Sequence, residues 1–230
     1  MNFGRYALYW APRPDSALAD FGRTWLGSDP ERGEPARDRD CLGLDPSLVE
    51  RATVAPRRYG LHATMKAPFR LAPGVTEAAL TKALDTFCAR RRRVKAGPLR
   101  LARFGTWLAL VPTAPLADLD WLAAECVVHF DRFRAPLSEA DRARRAGLTD
   151  PLQRMYLEQF GYPQVLTAFF FHITLAGPLE PPELDAVEAA LLPAVAPFTA
   201  ASFALDDLCW FGDPGGGGLF KTCSRSPLKR

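Results

Sequence analysis

The 230-residue sequence predicts an α+β fold: one bilobal domain with two antiparallel sheets facing a central cleft and helices on the outside. Three observations predict it. Apolar strand-like segments alternate with amphipathic helical segments along the chain. The order strand–helix–strand–helix–strand occurs twice, over units of 1–104 and 105–230. A short motif, His-x-Thr-hydrophobic, stands at the matched place in each half.

The elements follow in order. RYALYWAP, from Arg5 to Pro12, is strand material, and SALADFGRTWLG reads as a helix ending near Gly27. SDPERGEPARDRD is a charged, solvated loop, and LDPSLVERAT a short helix opened by Asp45 and Pro46. RRYGLHATMKAPFRL is strand material again. TEAALTKALDTFCARRRR is the clearest helix, with Leu80, Leu84 and Phe87 on one stripe and Thr76 as its cap. GPLRLARFGTWLALVP gives two strands joined at Gly105. PLADLDWLAAECVVHF, LSEADRARRAG and PLQRMYLEQFG are helical. QVLTAFFFHITLAGPL returns to strand, PPELDAVEAALLPAV to helix, and FALDDLCWFGDP to strand. From Pro12 to His62 is 50 residues and from Pro112 to His172 is 60, a difference carried by connecting segments, where length is cheap to change.

Bulk properties exclude several classes. Hydrophobic residues make up 48% and charged residues 24%, as in soluble globular proteins. A net charge of +3 gives no phosphate-backbone coating and favours a small phosphorylated or nucleotide substrate over long RNA. No apolar run is long enough for a membrane span, and the first residues make no signal peptide. Five cysteines, an odd number without a CxxC pair, read as reduced thiols in a cytoplasmic protein. The three histidines lie 67 and 43 residues apart with no HxH or HxxxH, so no metal site is expected. GDPGGGG, from Gly212 to Gly218, lacks the GK[ST] ending of a phosphate loop and reads as a hairpin loop; no cofactor motif is present.

His62-Ala63-Thr64-Met65 and His172-Ile173-Thr174-Leu175 carry the chemistry. On a strand, residues i and i+2 share a face, so each histidine projects with its threonine while the apolar residues face a core. Imidazole titrates near neutrality: a neutral ring takes a proton from attacking water and a protonated ring gives one to a departing oxygen. Threonine hydroxyls donate to non-bridging phosphoryl oxygens between them. Two histidines closing polar gaps within strands are the plain alternative, weakened by the matched repeat.

HATM and HITL resemble the paired signatures of the two-histidine (2H) phosphoesterase superfamily, which includes RNA ligase-like cyclic phosphodiesterases. The longer strings RYGLHATMKAPF and GYPQVLTAFFFHITLAGPL resemble the bacterial phosphonate metabolism family DUF1045. The resemblance covers nearly the whole chain. It implies metal-independent hydrolysis of a cyclic phosphodiester, of the 2′,3′-cyclic nucleotide or ribose cyclic phosphate type. By motif, His62 and His172 match the catalytic histidines, and Thr64 and Thr174 the phosphate-holding hydroxyls. One departure is Thr167, Ala168, Phe169 and Phe170, where the narrower family carries acidic and basic residues; it bears on the substrate, not on the histidines.

Further substrate-binding candidates surround the motifs. Strict alternation puts Lys66 on the face of His62 and Thr64, with Ala176 at the equivalent place. Tyr59 and Tyr162 precede the two motifs near turns and are candidates for stacking or for donation to phosphate. Tyr6 shares a face with Leu8 and Trp10, a face that suits the cleft floor or the core. Arg5 starts the same strand and is a phosphate candidate. His129 suits a helix C-terminus, and Arg90 to Arg93 a basic last turn. Two other functions fit the same fold: a non-catalytic nucleotide or RNA binder, and an RNA end ligase or linear phosphodiesterase.

Overall fold

The computed structural model of the protein describes residues 3–230. Its strands are β1 (Arg5–Trp10), β2 (Ser28–Asp29), β3 (Glu34–Pro35), β4 (Ala63–Phe69), β5 (Val94–Gly97), β6 (Leu99–Phe104), β7 (Trp107–Pro112), β8 (Ile173–Ala176), β9 (Phe203–Leu205), β10 (Asp207–Asp213) and β11 (Lys221–Pro227). Its α-helices are α1 (Ala17–Leu26), α2 (Pro46–Arg57), α3 (Glu77–Cys88), α4 (Ala117–Phe130), α5 (Glu139–Ala143), α6 (Pro151–Phe160) and α7 (Pro181–Thr199). The fold is α+β, as the alternating pattern predicts.

Local chemistry sets the helix ends. Ser16 Oγ accepts the Ala19 N–H to open α1, and left-handed Gly27 closes it. Thr76 caps α3 in the same way. The Asp45 carboxylate accepts from Ser47 and Leu48 ahead of Pro46, but α2 then runs on to Arg57, beyond the short helix expected. Pro56 sits in its last turn and cannot donate to the carbonyl four residues earlier. Its lack of a donor frees the carbonyl of Ala52, which accepts the Gly177 N–H at 2.8 Å. A helix of the first half is thereby tied to the end of β8.

A four-stranded sheet has the order β11-β10-β1-β4 and a three-stranded sheet the order β6-β7-β8; every pairing in them is antiparallel. The two motif strands, β4 and β8, are both sheet edges. Their registers coincide. Tyr9 pairs with Thr64 and Leu8 with Lys66; Ala109 pairs with Thr174 and Leu108 with Ala176, with a register shift at the same step. A duplicated unit predicts this coincidence. The two chain halves are not separate bodies, however. β6, which closes residues 1–104, pairs with β7, and β10 of the later half pairs with β1. β5 and β9, the segments that lead to those exchanged strands, pair with each other.

One apolar core runs beneath both sheets, from Leu8, Trp10 and Met65 through Leu84 and Phe130 to Leu110, Ile173 and Leu191. Two buried indoles fasten helices to it: Trp25 Nε1 donates to Leu175 O at 2.9 Å and Trp210 Nε1 to Leu80 O at 3.1 Å. The segment QVLTAFFFHITL forms less strand than its composition predicts. Only Ile173–Ala176 pairs, because Leu166 turns left-handed (φ 52°) into a 3₁₀ turn over Leu166–Ala168. Tyr156 and Thr167 hydroxyls close that turn onto α6 at 2.8 Å.

Helix α1 approaches the first motif closely at Gly22, where an added Cβ would meet Leu61 Cβ at 2.5 Å, one residue before His62. Gly22→Ala is therefore expected to destabilise the protein by about 1–3 kcal/mol through overpacking. Urea unfolding of the variant measures it; unchanged stability would show that the helix shifts freely away from the motif.

Candidate active site

Each motif histidine stands one residue before its strand, and each is held by the same contact. His62 Nδ1 lies 2.9 Å from Gly60 O, and His172 Nδ1 lies 2.9 Å from Phe170 O. A carbonyl only accepts, so both rings are fixed with the proton on Nδ1 and Nε2 is left for chemistry. Gly60 makes the first tether possible: its φ of 71° is left-handed, and a Cβ there would press on Pro30 Cγ at 3.0 Å.

The surroundings of the two rings differ. His62 is half-buried, with the buried Tyr9 ring beneath it at 4.1 Å between centroids and Tyr59 at 5.6 Å. Burial pushes its imidazole down to about 4; the Gly60 carbonyl opposes this, and the charge of His172 adds to it. His172 is exposed and stacks on Phe170 at 5.8 Å and 15°.

His62, Thr64 and Thr174 line one cleft of about 550 Å³, with Tyr9, Tyr59, Tyr162 and Trp107. Residues of both sheets thus meet there. Arg5, Arg58 and Arg145 form its cationic side. Asp213, almost completely buried, orients two of these: it accepts from Arg5 at 2.6 and 2.9 Å and from Arg58 at 3.1 and 3.2 Å. The Gly212–Gly218 loop backs this arrangement, since the Gly215 N–H donates to Asp213 at 2.9 Å and Gly218 O accepts from Arg58 at 3.4 Å. Arg145 lies over the Tyr162 ring at 5.4 Å.

Of the nine predicted site residues, seven fall at or beside the cleft and two do not. Arg5, Tyr59, Thr64, Tyr162 and Thr174 line the cleft with His62, and His172 precedes β8 beside it. Lys66 and Tyr6 do not. Lys66 is 3% exposed and points inward, donating to Asp131 Oδ1 at 3.0 Å and Val127 O at 3.3 Å. The register shift after Thr64 breaks the alternation that assigned it to the cleft, so Ala67 and Pro68 face the cleft instead. Burial holds its amine below the usual range, with Asp131 opposing. Tyr6 packs in the main core and donates to Glu77 Oε2 at 2.9 Å. The residue of β1 beneath the site is Tyr9, which shares its strand face with Arg5. Arg58 and Trp107 carried no motif.

Other groups stay outside. His129 ends α4 against Phe87 at 5.0 Å. Arg91 pairs with Glu125 at 2.9 Å, a surface contact rather than a binding patch. The five cysteines are free, and burial pushes the Cys88 and Cys223 thiols up to about 12. Among the described residues no group of three or more His, Cys, Asp or Glu is placed to hold a metal ion, and no helix is long and apolar enough to cross a membrane.

The family model for DUF1045, described as a protein of unknown function, matches residues 64–221. The chain belongs to the DUF1045 family. It is also similar to two curated proteins named ribose 1,5-bisphosphate phosphokinase PhnN. With that of Janthinobacterium sp. (strain Marseille) it is 39% identical over 185 residues, 80% of this chain and 41% of the relative. With that of Laribacter hongkongensis (strain HLHK9) it is 33% identical over 223 residues, 95% of this chain and 50% of the relative. This DUF1045 chain thus spans half or less of the length of the curated relatives it matches. Among solved structures it is similar to E. coli LigT complexed with 3′-AMP, at 13% identity, full coverage of both chains and a TM-score of 0.49. A crystal structure of a phosphoesterase gives 13% identity, 99% coverage of both chains and a TM-score of 0.45.

The depressed imidazole is directly measurable. An NMR titration of ring carbon-bound protons is expected to give His62 a midpoint of about 4, moved upward in His172→Ala. Between the ordinary imidazole value near 6.5 and about 4, the unfolded chain takes up a proton that folded His62 does not. His62 therefore withdraws stability as pH falls through that window. An ordinary midpoint would mean that the ring is solvated and not packed on Tyr9.

Proposed function

We propose that the protein is a hydrolase that opens a cyclic phosphodiester of the 2′,3′-cyclic nucleotide or ribose cyclic phosphate type. One observation carries this reading: two histidines have Nδ1 tethered to the carbonyl two residues upstream, and His62 lines a cleft together with both motif threonines while His172 is near enough to act on its charge.

The roles follow from the surroundings. His62 is neutral at neutral pH and offers the Nε2 lone pair, so it is the general base: it takes a proton from water as the water oxygen bonds to phosphorus. His172 is the general acid, delivering a proton from Nε2 to the ring oxygen as its bond to phosphorus breaks. The product is a phosphomonoester with a free neighbouring hydroxyl, and each histidine leaves the step in the other's starting form until solvent restores it. Thr64 and Thr174 hold the non-bridging oxygens, and the arginine side of the cleft offsets the charge that grows there. An anionic substrate also raises the His62 affinity for a proton, which suits a base that must accept one during the step.

The names of the curated relatives support a ribose phosphate as the substrate class. The kinase chemistry in those names belongs, in this reading, to the part of the relatives outside the match, because this chain has no GxxxxGK[ST] loop to cradle a nucleotide's phosphates.

His62→Ala and His172→Ala are each expected to reduce kcat/KM by about 10²–10⁴-fold on a cyclic phosphate, with circular dichroism unchanged. Turnover is expected to persist with EDTA present. A panel of nucleoside and ribose cyclic phosphates, with product isomers identified, tests the reaction and its regiochemistry. Full activity in either variant would remove the two-histidine mechanism; tight binding without turnover of any panel member would favour a binding protein instead.

A further inference from the structure

Next to the candidate cleft lies a second pocket of about 260 Å³. It shares Arg5, Arg58, Tyr59, Pro68 and Arg145 with the cleft, so the two are continuous. Its walls carry six arginines: Arg5, Arg58, Arg70, Arg134, Arg144 and Arg145. Three carboxylates meet them. Asp213 is shared by Arg5 and Arg58, Asp141 by Arg70 and Arg144, and Asp131 by Arg134 and the buried Lys66. Arg145 rests on Tyr162 and pairs with no carboxylate among the described residues.

Seven cations against three carboxylates leave an excess of four positive charges around one pocket, in a chain whose whole net charge is +3. Surface arginines are ordinarily spread so that their repulsion is screened; holding six together in a concave wall is unfavourable unless an anion completes them. The carboxylates act as orienters here. Asp213 is 2% exposed and fixes two guanidinium groups from behind, which leaves their outward N–H groups for a ligand. Guanidinium forks match the oxygens of a phosphate dianion in geometry and charge.

We infer that this arginine-walled pocket binds a second phosphate, so that the substrate is a cyclic phosphodiester carrying an additional phosphomonoester on the same small molecule. The inference rests on the proposed reaction for the position of the cyclic phosphate, and it adds what selects the substrate. Short RNA would present phosphodiesters to the same wall, but a monoester dianion answers the charge excess better than a diester.

The test compares ligands with and without the second phosphate. Calorimetry with adenosine 2′-phosphate and adenosine 2′,5′-bisphosphate measures binding; adenosine 2′,3′-cyclic phosphate with and without a 5′-phosphate measures turnover. The bisphosphate is expected to bind at least about tenfold more tightly, the worth of one or more charge-assisted hydrogen bonds. The same preference is expected in kcat/KM. Arg144→Gln with Arg145→Gln is expected to remove most of it, whereas Arg142→Gln, on the same segment but outside the pocket, keeps it. Equal binding of the two ligands, or a preference that survives the double substitution, overturns the subsite. So does affinity that climbs with every nucleotide added to an oligonucleotide. If neither cyclic compound is hydrolysed, the proposed reaction fails while the binding comparison still decides the subsite.

Discussion

Two slips of register where β4 runs along β1, the first of them between Tyr9 and Leu8, decide which side chains reach the cleft. Between the pairs Tyr9–Thr64 and Leu8–Lys66, β1 advances one residue and β4 advances two. Before this first slip, His62 and Thr64 face the cleft; after it, Ala67 and Pro68 do, and Met65 and Lys66 are both buried. The inward lysine then needs a partner, and Asp131 at the end of α4 supplies it while also receiving Arg134. Removing either charge alone would leave a buried partner less well compensated. The same slip between Leu108 and Ala109 against β8 places Thr174 on the cleft and Ala176 in the core, where alanine needs no partner. The two halves share backbone geometry, and they diverge in what the slip buries.

The reactive nitrogens are prepared by backbone rather than by side chains. A carbonyl two residues upstream holds each imidazole, which fixes tautomer and orientation together. With that geometry repeated, the difference between the rings comes from environment. Tyr9 covers His62 and keeps it uncharged, whereas His172 looks to solvent. Two like groups with different surroundings suit the division of labour between base and acid that the proposed hydrolysis requires.

The exchange of β6 and β10 between the chain halves makes the cleft a property of the whole fold. The three-stranded sheet takes β6 from the first half and the four-stranded sheet takes β10 and β11 from the second, β5 pairs with β9 between them, and Trp25 and Ala52 reach across to β8. The elements that carry the two histidines are therefore packed into one continuous core. Rigid support of this kind is what the proposed reaction, with a phosphate between two residues 110 positions apart, demands.

Much of this was legible in the chain. Alternating apolar patterns and the caps Asp45 and Thr76 marked the helices, and the repeated His-x-Thr pointed to two matched strands, because strand and helix periods are local properties of neighbouring residues. The site's remainder was not. Lys66 looked outward because strict alternation cannot reveal a bulge, whose position depends on the partner strand. Tyr9 was passed over for Tyr6 because nothing in RYALYW says which face meets water-filled space and which meets Phe130 and Leu80. The gathering of Arg5, Arg58, Arg134 and Arg145 at one wall joins residues up to 140 positions apart. By itself the sequence determined the elements and the paired motif, which arise from short-range chemistry. The tertiary structure alone decided register, burial and the charge of the pocket, since each depends on which distant segment the folded chain brings alongside.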